Sequence, residues 1–177
     1  FRSNLDKEDL SNYRPIYHLS FLSKLTDRLT HHLSRNNILN SFQSAYTKYH
    51  STESTLLAVH DHIIKAMSQQ KVTALCLLDL SAAFDTIDHS VLLHRLSSWF
   101  GLSGKALSWF SSYLASRSFV VNIKSSVSDH FPLHQGVPQG SVLGPLLFIL
   151  YTTPLSSLIA DSSCGHHLYA DDIQLFI

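Results

Sequence analysis

Two adjacent carboxylates, Asp171 and Asp172, stand between two short apolar runs, His166 to Ala170 and Ile173 to Ile177. Two residues between two β-like runs predict a tight hairpin turn. Like charges a few ångströms apart repel, so a site that holds both usually has a cation to offset them. A third carboxylate, Asp79, ends the run Val72-Thr73-Ala74-Leu75-Cys76-Leu77-Leu78, which reads as a buried strand. Neighbouring strands lie about 4.8 Å apart, so pairing of the two segments would let Asp79 and Asp171 share a hard divalent ion. In outline this is a two-metal phosphoryl-transfer site.

The remaining pattern predicts helices mixed with mostly antiparallel strands, an α+β layered domain. Leu22, Leu25, Leu29 and Leu33 recur at helical spacing between Ser20 and about Arg35, and Asn36-Asn37 stop that helix. Ser51 or Thr52 caps a second helix to about Gln69, with Leu56, Leu57, Ile63, Ile64 and Met67 inward. The strand Val72–Leu80 follows. Asp88 caps a helix over Ser90–Phe100 that Gly101 ends. Ser103 caps another, to about Ser116, carrying Leu107, Phe110, Tyr113 and Leu114. Ser118–Ile123 and Ser126–Leu133 form a hairpin, and a turn-rich loop at Gln135–Gly140 feeds an apolar helix from Ser141 to about Ile159.

At 177 residues the chain fits one domain, or one and a small appendage, with enough apolar content for a core. It begins at Phe1 and stops inside an expected strand at Ile177, which suggests a piece of a larger protein. Net charge is zero, but residues 1–71 hold nine Lys/Arg and six Asp/Glu, or +3, and residues 72–177 hold four and seven, or −3. A basic half could face phosphates while an acidic half holds metal; ordinary scatter of surface charge gives a similar imbalance. Cys76 and Cys164 have no metal-ligand spacing, so a reduced intracellular setting, nuclear or cytoplasmic and not secreted, is expected. The longest apolar stretch, Val142 to Leu150, is too short to span a bilayer, and no membrane partner is expected.

Asp171 and Asp172 need not both reach one ion, because successive strand side chains point to opposite faces. Taken alone, the pair would read as a solvated turn, where Asp is at home. Asp85 stands six residues beyond Asp79, and capping or pairing with a backbone N–H suits it better than catalysis. Arg14 and Lys48 are candidates for phosphate contacts, Arg by bidentate geometry and Lys as a point charge; a solvated surface charge is the alternative for each. The twelve histidines include adjacent pairs whose side chains diverge, and His60 and His62 lie two apart on an expected helix, so none forms a zinc set.

Three stretches then bear on function together: Leu78-Asp79-Leu80-Ser81-Ala82-Ala83-Phe84-Asp85, Gln135-Gly136-Val137-Pro138-Gln139-Gly140-Ser141 and Tyr169-Ala170-Asp171-Asp172. In order and spacing they resemble the A, B and C motifs of a reverse transcriptase. Asn12-Tyr13-Arg14-Pro15-Ile16, Phe42-Gln43-Ser44-Ala45-Tyr46 and His50-Ser51-Thr52-Glu53 resemble the non-LTR, LINE-like retrotransposon branch. The similarity runs from about Leu10 to the last residue. It implies the fingers–palm part of a right-hand polymerase: a fingers-like part over 1–71, and over 72–177 a palm with a small, mostly antiparallel sheet backed by helices. The implied reaction is RNA-directed addition of deoxynucleotides to a primer 3′-hydroxyl with two Mg²⁺ ions, for which Mn²⁺ can substitute.

By that resemblance Asp79 and Asp171 hold metal, Asp172 supports them, and the Leu80 carbonyl is an additional ligand. Phe84 blocks a nucleotide 2′-hydroxyl; on composition alone it is a core phenylalanine. Gln139 and Gly140 contact the incoming nucleotide and template, in a loop where glycine lets backbone approach a ligand. Implied partners are an RNA template, a DNA primer and deoxynucleoside triphosphates, with a thumb and endonuclease elsewhere in the polyprotein. Thr47 stands where related elements often have Arg, and Tyr17-His18 replaces an expected small polar residue. The rival reading is a catalytically inactive remnant that only folds or binds nucleic acid.

Overall fold

The computed structural model describes residues 20–177 apart from 124, 125, 139 and 163. The first helix, α1, covers Ser20–Arg35, as the leucine spacing predicts. Leu22, Leu29 and Leu33 are buried and Leu25 is half-buried. Asn36 ends the helix by donating from Nδ2 to the His32 carbonyl at 2.8 Å, and Asn37 turns the chain with φ 52°. The second helix, α2, covers Thr52–Ser68 behind a reciprocal cap. Ser54 N–H donates to Ser51 Oγ at 3.3 Å, and Ser51 N–H donates to Ser54 Oγ at 2.9 Å.

The predicted inward face of α2 is not the one that is buried. Leu56, Leu57, Ile64 and Met67 are exposed and Ile63 is half-buried; Thr55 and Val59 are the buried residues. The pairs Leu56-Leu57 and Ile63-Ile64 each straddle about 100° of helix, so apolar residues surround the helix and their spacing does not select a face.

The helical body follows. α3 spans His89–Ser98, α4 Gly104–Leu114 and α5 Gly144–Ala160. Asp88 caps α3 as expected, accepting from Val91 N–H at 2.9 Å. α5 begins three residues after the predicted Ser141, and its first residue is tied back to it: Gly144 N–H donates to the buried Ser141 Oγ at 2.9 Å. Leu33, Leu92, Leu96, Phe100, Phe110, Leu114, Leu143, Leu147 and Leu150 are almost wholly buried and belong to one cluster. Each such side chain contributes roughly 1.5–3 kcal/mol by leaving water, so this helix-on-helix packing is the main apolar core.

The principal sheet has three strands in the order β1-β7-β6, all antiparallel. Here β1 is Leu75–Asp79, β6 Gly165–Tyr169 and β7 Asp172–Phe176. Between β1 and the hairpin of β6 and β7 lie two short ladders. β2 (Arg117–Phe119) pairs with β5 (Phe131–Leu133), and β3 (Asn122–Ile123) with β4 (Ser126–Val127), so the predicted hairpin over 118–133 forms in two pieces. A further segment joins the principal sheet beside β6. Leu168 N–H donates to Phe42 O at 2.8 Å, and Ser44 N–H donates to Leu168 O at 3.0 Å, a parallel bridge centred on Gln43 and Leu168.

Two expectations about the sheet are corrected. The run ending at Asp79 is not a buried strand, since all five residues of β1 are exposed, Leu77 at 69%. It is an edge strand whose ladder partner is β7. The hairpin turn is also shifted by one residue: Ala170 and Asp171 form it, and Asp172 is the first residue of β7. Among the described residues no helix is long and apolar enough to cross a membrane.

Candidate active site

The register of β1 on β7 decides how the carboxylates meet. Asp79 is paired directly with Asp172, and Asp172 in turn with Tyr169. Directly opposed residues in an antiparallel ladder share a face, so the Asp79 and Asp172 side chains project together. This differs from the expected pairing of Asp79 with Asp171. Asp171 occupies the turn and is fixed through its backbone, its carbonyl accepting from Leu80 N–H at 3.2 Å. All three carboxylates gather at one end of the sheet, with Leu80 immediately beyond β1.

A groove of about 250 Å³ runs beside the pair, lined by Leu77, Leu78, Asp79, Asp172, Ile173 and Gln174. Gln174 brings a buried Oε1 with no hydrogen-bond partner among the described residues. The polar donors of this groove are oxygens, the set a hard cation such as Mg²⁺ prefers. Among the described residues no three His, Cys, Asp or Glu side chains gather closely enough to hold an ion by themselves. Such a site fits an ion held by one or two carboxylates and completed by water or a substrate phosphate.

Beyond β1 the chain turns sharply, with Ala82 at φ 54°, and the segment 84–89 is stitched to the loop that precedes α5. Val137 N–H donates to Phe84 O at 2.8 Å, and Gly136 N–H donates to Ile87 O at 2.7 Å. His89 Nε2–H donates to Gly136 O at 2.7 Å. Gly136 has φ 85°, and a Cβ there would stand 2.9 Å from the Asp85 carbonyl oxygen, so the close approach needs glycine. Phe84 is half-buried on this seam, its ring centroid 5.0 Å from that of Phe148 in α5. It is therefore part of the core margin and adjoins the loop expected to contact the incoming nucleotide. Gly140, at φ 74°, is exposed on the same loop, whereas Gln139 lies outside the described residues.

Lys48 is exposed, with Nζ 4.8 Å from the centre of the Tyr49 ring. It lines a cleft of about 280 Å³ with Gln43, Tyr46, Thr47, His50 and Leu146. Arg14 lies outside the described residues.

Two residues at this end of the molecule have no site role by sequence, Gln43 entering there only within the stretch Phe42–Tyr46 that carries the resemblance. Gln43, 3% exposed, reaches both backbone groups of Ala170 in the hairpin turn. His89 ties the two loops together. Each contact bridges distant parts of the chain, and no local spacing signals it. Behind the hairpin, His167 Nε2 lies 2.8 Å from Ser44 Oγ, which is also 3.1 Å from His50 Nδ1. Burial first, then the neighbouring His50 and His166, hold the His167 imidazole below its usual pKa. His166 is lowered as well, chiefly by burial.

Comparison with known proteins agrees with this architecture. The family described as "Reverse transcriptase (RNA-dependent DNA polymerase)" matches residues 5–177. The chain is 32% identical over 186 residues to the probable RNA-directed DNA polymerase from transposon BS of Drosophila melanogaster, covering 96% of this chain and 20% of that protein. It is 32% identical over 181 residues to the RNA-directed DNA polymerase from mobile element jockey of Drosophila funebris, covering 94% of this chain and 19% of that protein. The chain thus spans about a fifth of the length of these relatives. Among solved structures, the apo telomerase of Candida tropicalis truncated from its C-terminal domain superposes with a TM-score of 0.61. That match covers 90% of this chain and 34% of the telomerase at 17% identity, a likeness of fold, and it agrees with an α+β polymerase fingers–palm architecture. With the family matched over nearly its whole length and retrotransposon relatives above 30% identity, the chain belongs to the reverse transcriptases, on their non-LTR retrotransposon branch.

Proposed function

We propose that this chain is the fingers–palm part of an RNA-directed DNA polymerase that extends a primer 3′-hydroxyl with deoxynucleotides on an RNA template. The observation that carries the reading is the opposition of Asp79 and Asp172 at the end of the sheet, with Asp171 in the adjoining turn. Residues 1–71 form the fingers-like part and 72–177 the palm. Asp79, Asp171 and Asp172, with the Leu80 carbonyl, hold two Mg²⁺ ions, or Mn²⁺ in their place. When bound, such ions activate the primer hydroxyl and stabilise the pyrophosphate leaving group.

The chain's own residues supply position. The β1–β7 ladder sets the spacing of Asp79 and Asp172, and Leu80 N–H fixes the turn at Asp171. Phe84 stands against C2′ of the incoming sugar, where a ring excludes a hydroxyl by bulk. Gly140 and Gln139 let the loop approach base and template, while Arg14 and Lys48 face phosphates. The protein works inside the cell, in nucleus or cytoplasm, as part of a larger polyprotein carrying a thumb and an endonuclease.

Primer extension on an RNA template with Mg²⁺ tests this, using the natural polypeptide that carries the chain and Asp79→Asn and Asp171→Asn as controls. Deoxynucleotide extension that both substitutions abolish is the expected result. A folded protein that extends nothing favours an inactive remnant, and activity that survives both substitutions overturns the site.

A further inference from the structure

The hairpin bearing Asp171 and Asp172 is reached by a side chain 127 positions earlier in the sequence. Strand β6 ends at Tyr169, and Ala170 enters the turn with φ 54°, a left-handed conformation that a non-glycine residue adopts at some cost. Its backbone groups need partners to hold that conformation. Gln43 supplies both: Ala170 N–H donates to Gln43 Oε1 at 3.0 Å, and Gln43 Nε2 donates to Ala170 O at 3.3 Å. The same Oε1 accepts from Ala45 N–H at 3.0 Å, which ties the amide to its own segment. That segment is anchored in turn by the two backbone bonds between Leu168 and residues 42 and 44. The Gln43 amide therefore continues a parallel strand pairing one step past the end of β6, in the manner of a backbone peptide. On the opposite side Leu80 N–H holds Asp171 O, so the two turn residues are gripped from both flanks.

We propose that Gln43 is a positioning residue for the carboxylates: by gripping Ala170 it fixes the turn that sets Asp171 and Asp172 against Asp79. This role rests on the polymerase reading above for its effect on turnover, but the grip itself does not. Gln43→Met keeps the length of the side chain and removes its hydrogen bonds. Leaving the half-buried backbone groups of Ala170 without partners is expected to quicken amide exchange there about tenfold or more, while the core amides of Leu92 and Leu147 keep their protection.

In primer extension by the natural polypeptide, kcat is expected to fall about tenfold or more while KM for deoxynucleotide stays within about twofold, because Gln43 acts on the carboxylates and not on substrate. Unchanged exchange at Ala170 overturns the grip. Quickened exchange with unchanged kcat overturns the positioning role, as does a loss that tracks exchange through the whole core. Should Gln43→Met fail to fold, Gln43→Leu carries the same test, since it too removes both the acceptor for Ala170 N–H and the donor to Ala170 O. If the unaltered polypeptide extends no primer, the polymerase reading fails, and exchange at Ala170 alone sustains or overturns the grip.

Discussion

Asp79 lies directly across the β1–β7 ladder from Asp172, two acidic side chains on one face at the end of the sheet. Opposed like charges destabilise a ladder, so this pairing works against the fold unless a cation sits between them. Function and stability therefore pull in opposite directions at these positions. Asp79→Asn is expected to lower primer extension by about 100-fold or more, the scale on which even outer-shell partners of metal ligands act. In metal-free buffer the same substitution should leave the melting temperature unchanged or raise it. Thermal denaturation with and without Mg²⁺ checks this: Mg²⁺ should stabilise the parent and not the variant.

Phe84 contributes to the core margin through Phe148 as well as to the proposed sugar pocket. Phe84→Ala should raise ribonucleotide use relative to deoxynucleotide use. It should also cost about 2–3 kcal/mol, less than for a fully buried phenylalanine. Competition between the two nucleotide types in primer extension, with denaturant unfolding alongside, separates the effects. An unchanged ratio of sugars would remove Phe84 from the pocket.

Gly136 and Gly101 both have positive φ but face different surroundings. A methyl group at Gly101 meets nothing within 4 Å, whereas at Gly136 it meets the Asp85 backbone at 2.9 Å. Gly101→Ala should cost about 1 kcal/mol from backbone conformation alone, and Gly136→Ala clearly more, about 2–4 kcal/mol. Urea unfolding of the two variants gives the comparison, and equal costs would argue against the tight seam between the loops.

His166 and His167 carry a pH dependence of definite sign. Their folded pKa values lie below the ordinary 6.5, mainly through burial, so the unfolded chain binds protons that the folded chain refuses. Their contribution to stability is complete above about pH 6.5 and is lost as pH falls below it. The urea midpoint should drop between pH 7.5 and 5.5, and His167→Gln should flatten that drop. Stability that rises toward pH 5.5 would contradict the burial of these rings.

Much of this was legible from residue spacing, and the exceptions have physical causes. The leucines of α1 lie on one stripe, so the helix to about Arg35 and its Asn36-Asn37 stop are legible in the sequence. Asp88 likewise announced α3. On α2 the apolar residues run all round, and what decides burial is the neighbour, which spacing does not encode. The hairpin is legible, but its turn lies one residue earlier than carboxylate chemistry suggests, because Asp172 suits a turn whereas strand pairing with Asp79 and Tyr169 claims it. At the site, the three carboxylates could be named from sequence. The grip of Gln43 on Ala170 and the His89 bond to Gly136 could not, since both depend on distant segments meeting.

The open flank of β1 has a practical consequence. Leu75, Leu77 and Leu78 are exposed on a strand at the margin of its sheet. Among the described residues no strand pairs with the outer side of β1, and such an edge beside apolar side chains invites another extended chain to dock edge to edge, a route to aggregation. Samples of this chain should therefore lose monodispersity as concentration rises, and a lysine in place of Leu75, which lies outside the carboxylate groove, should postpone that loss.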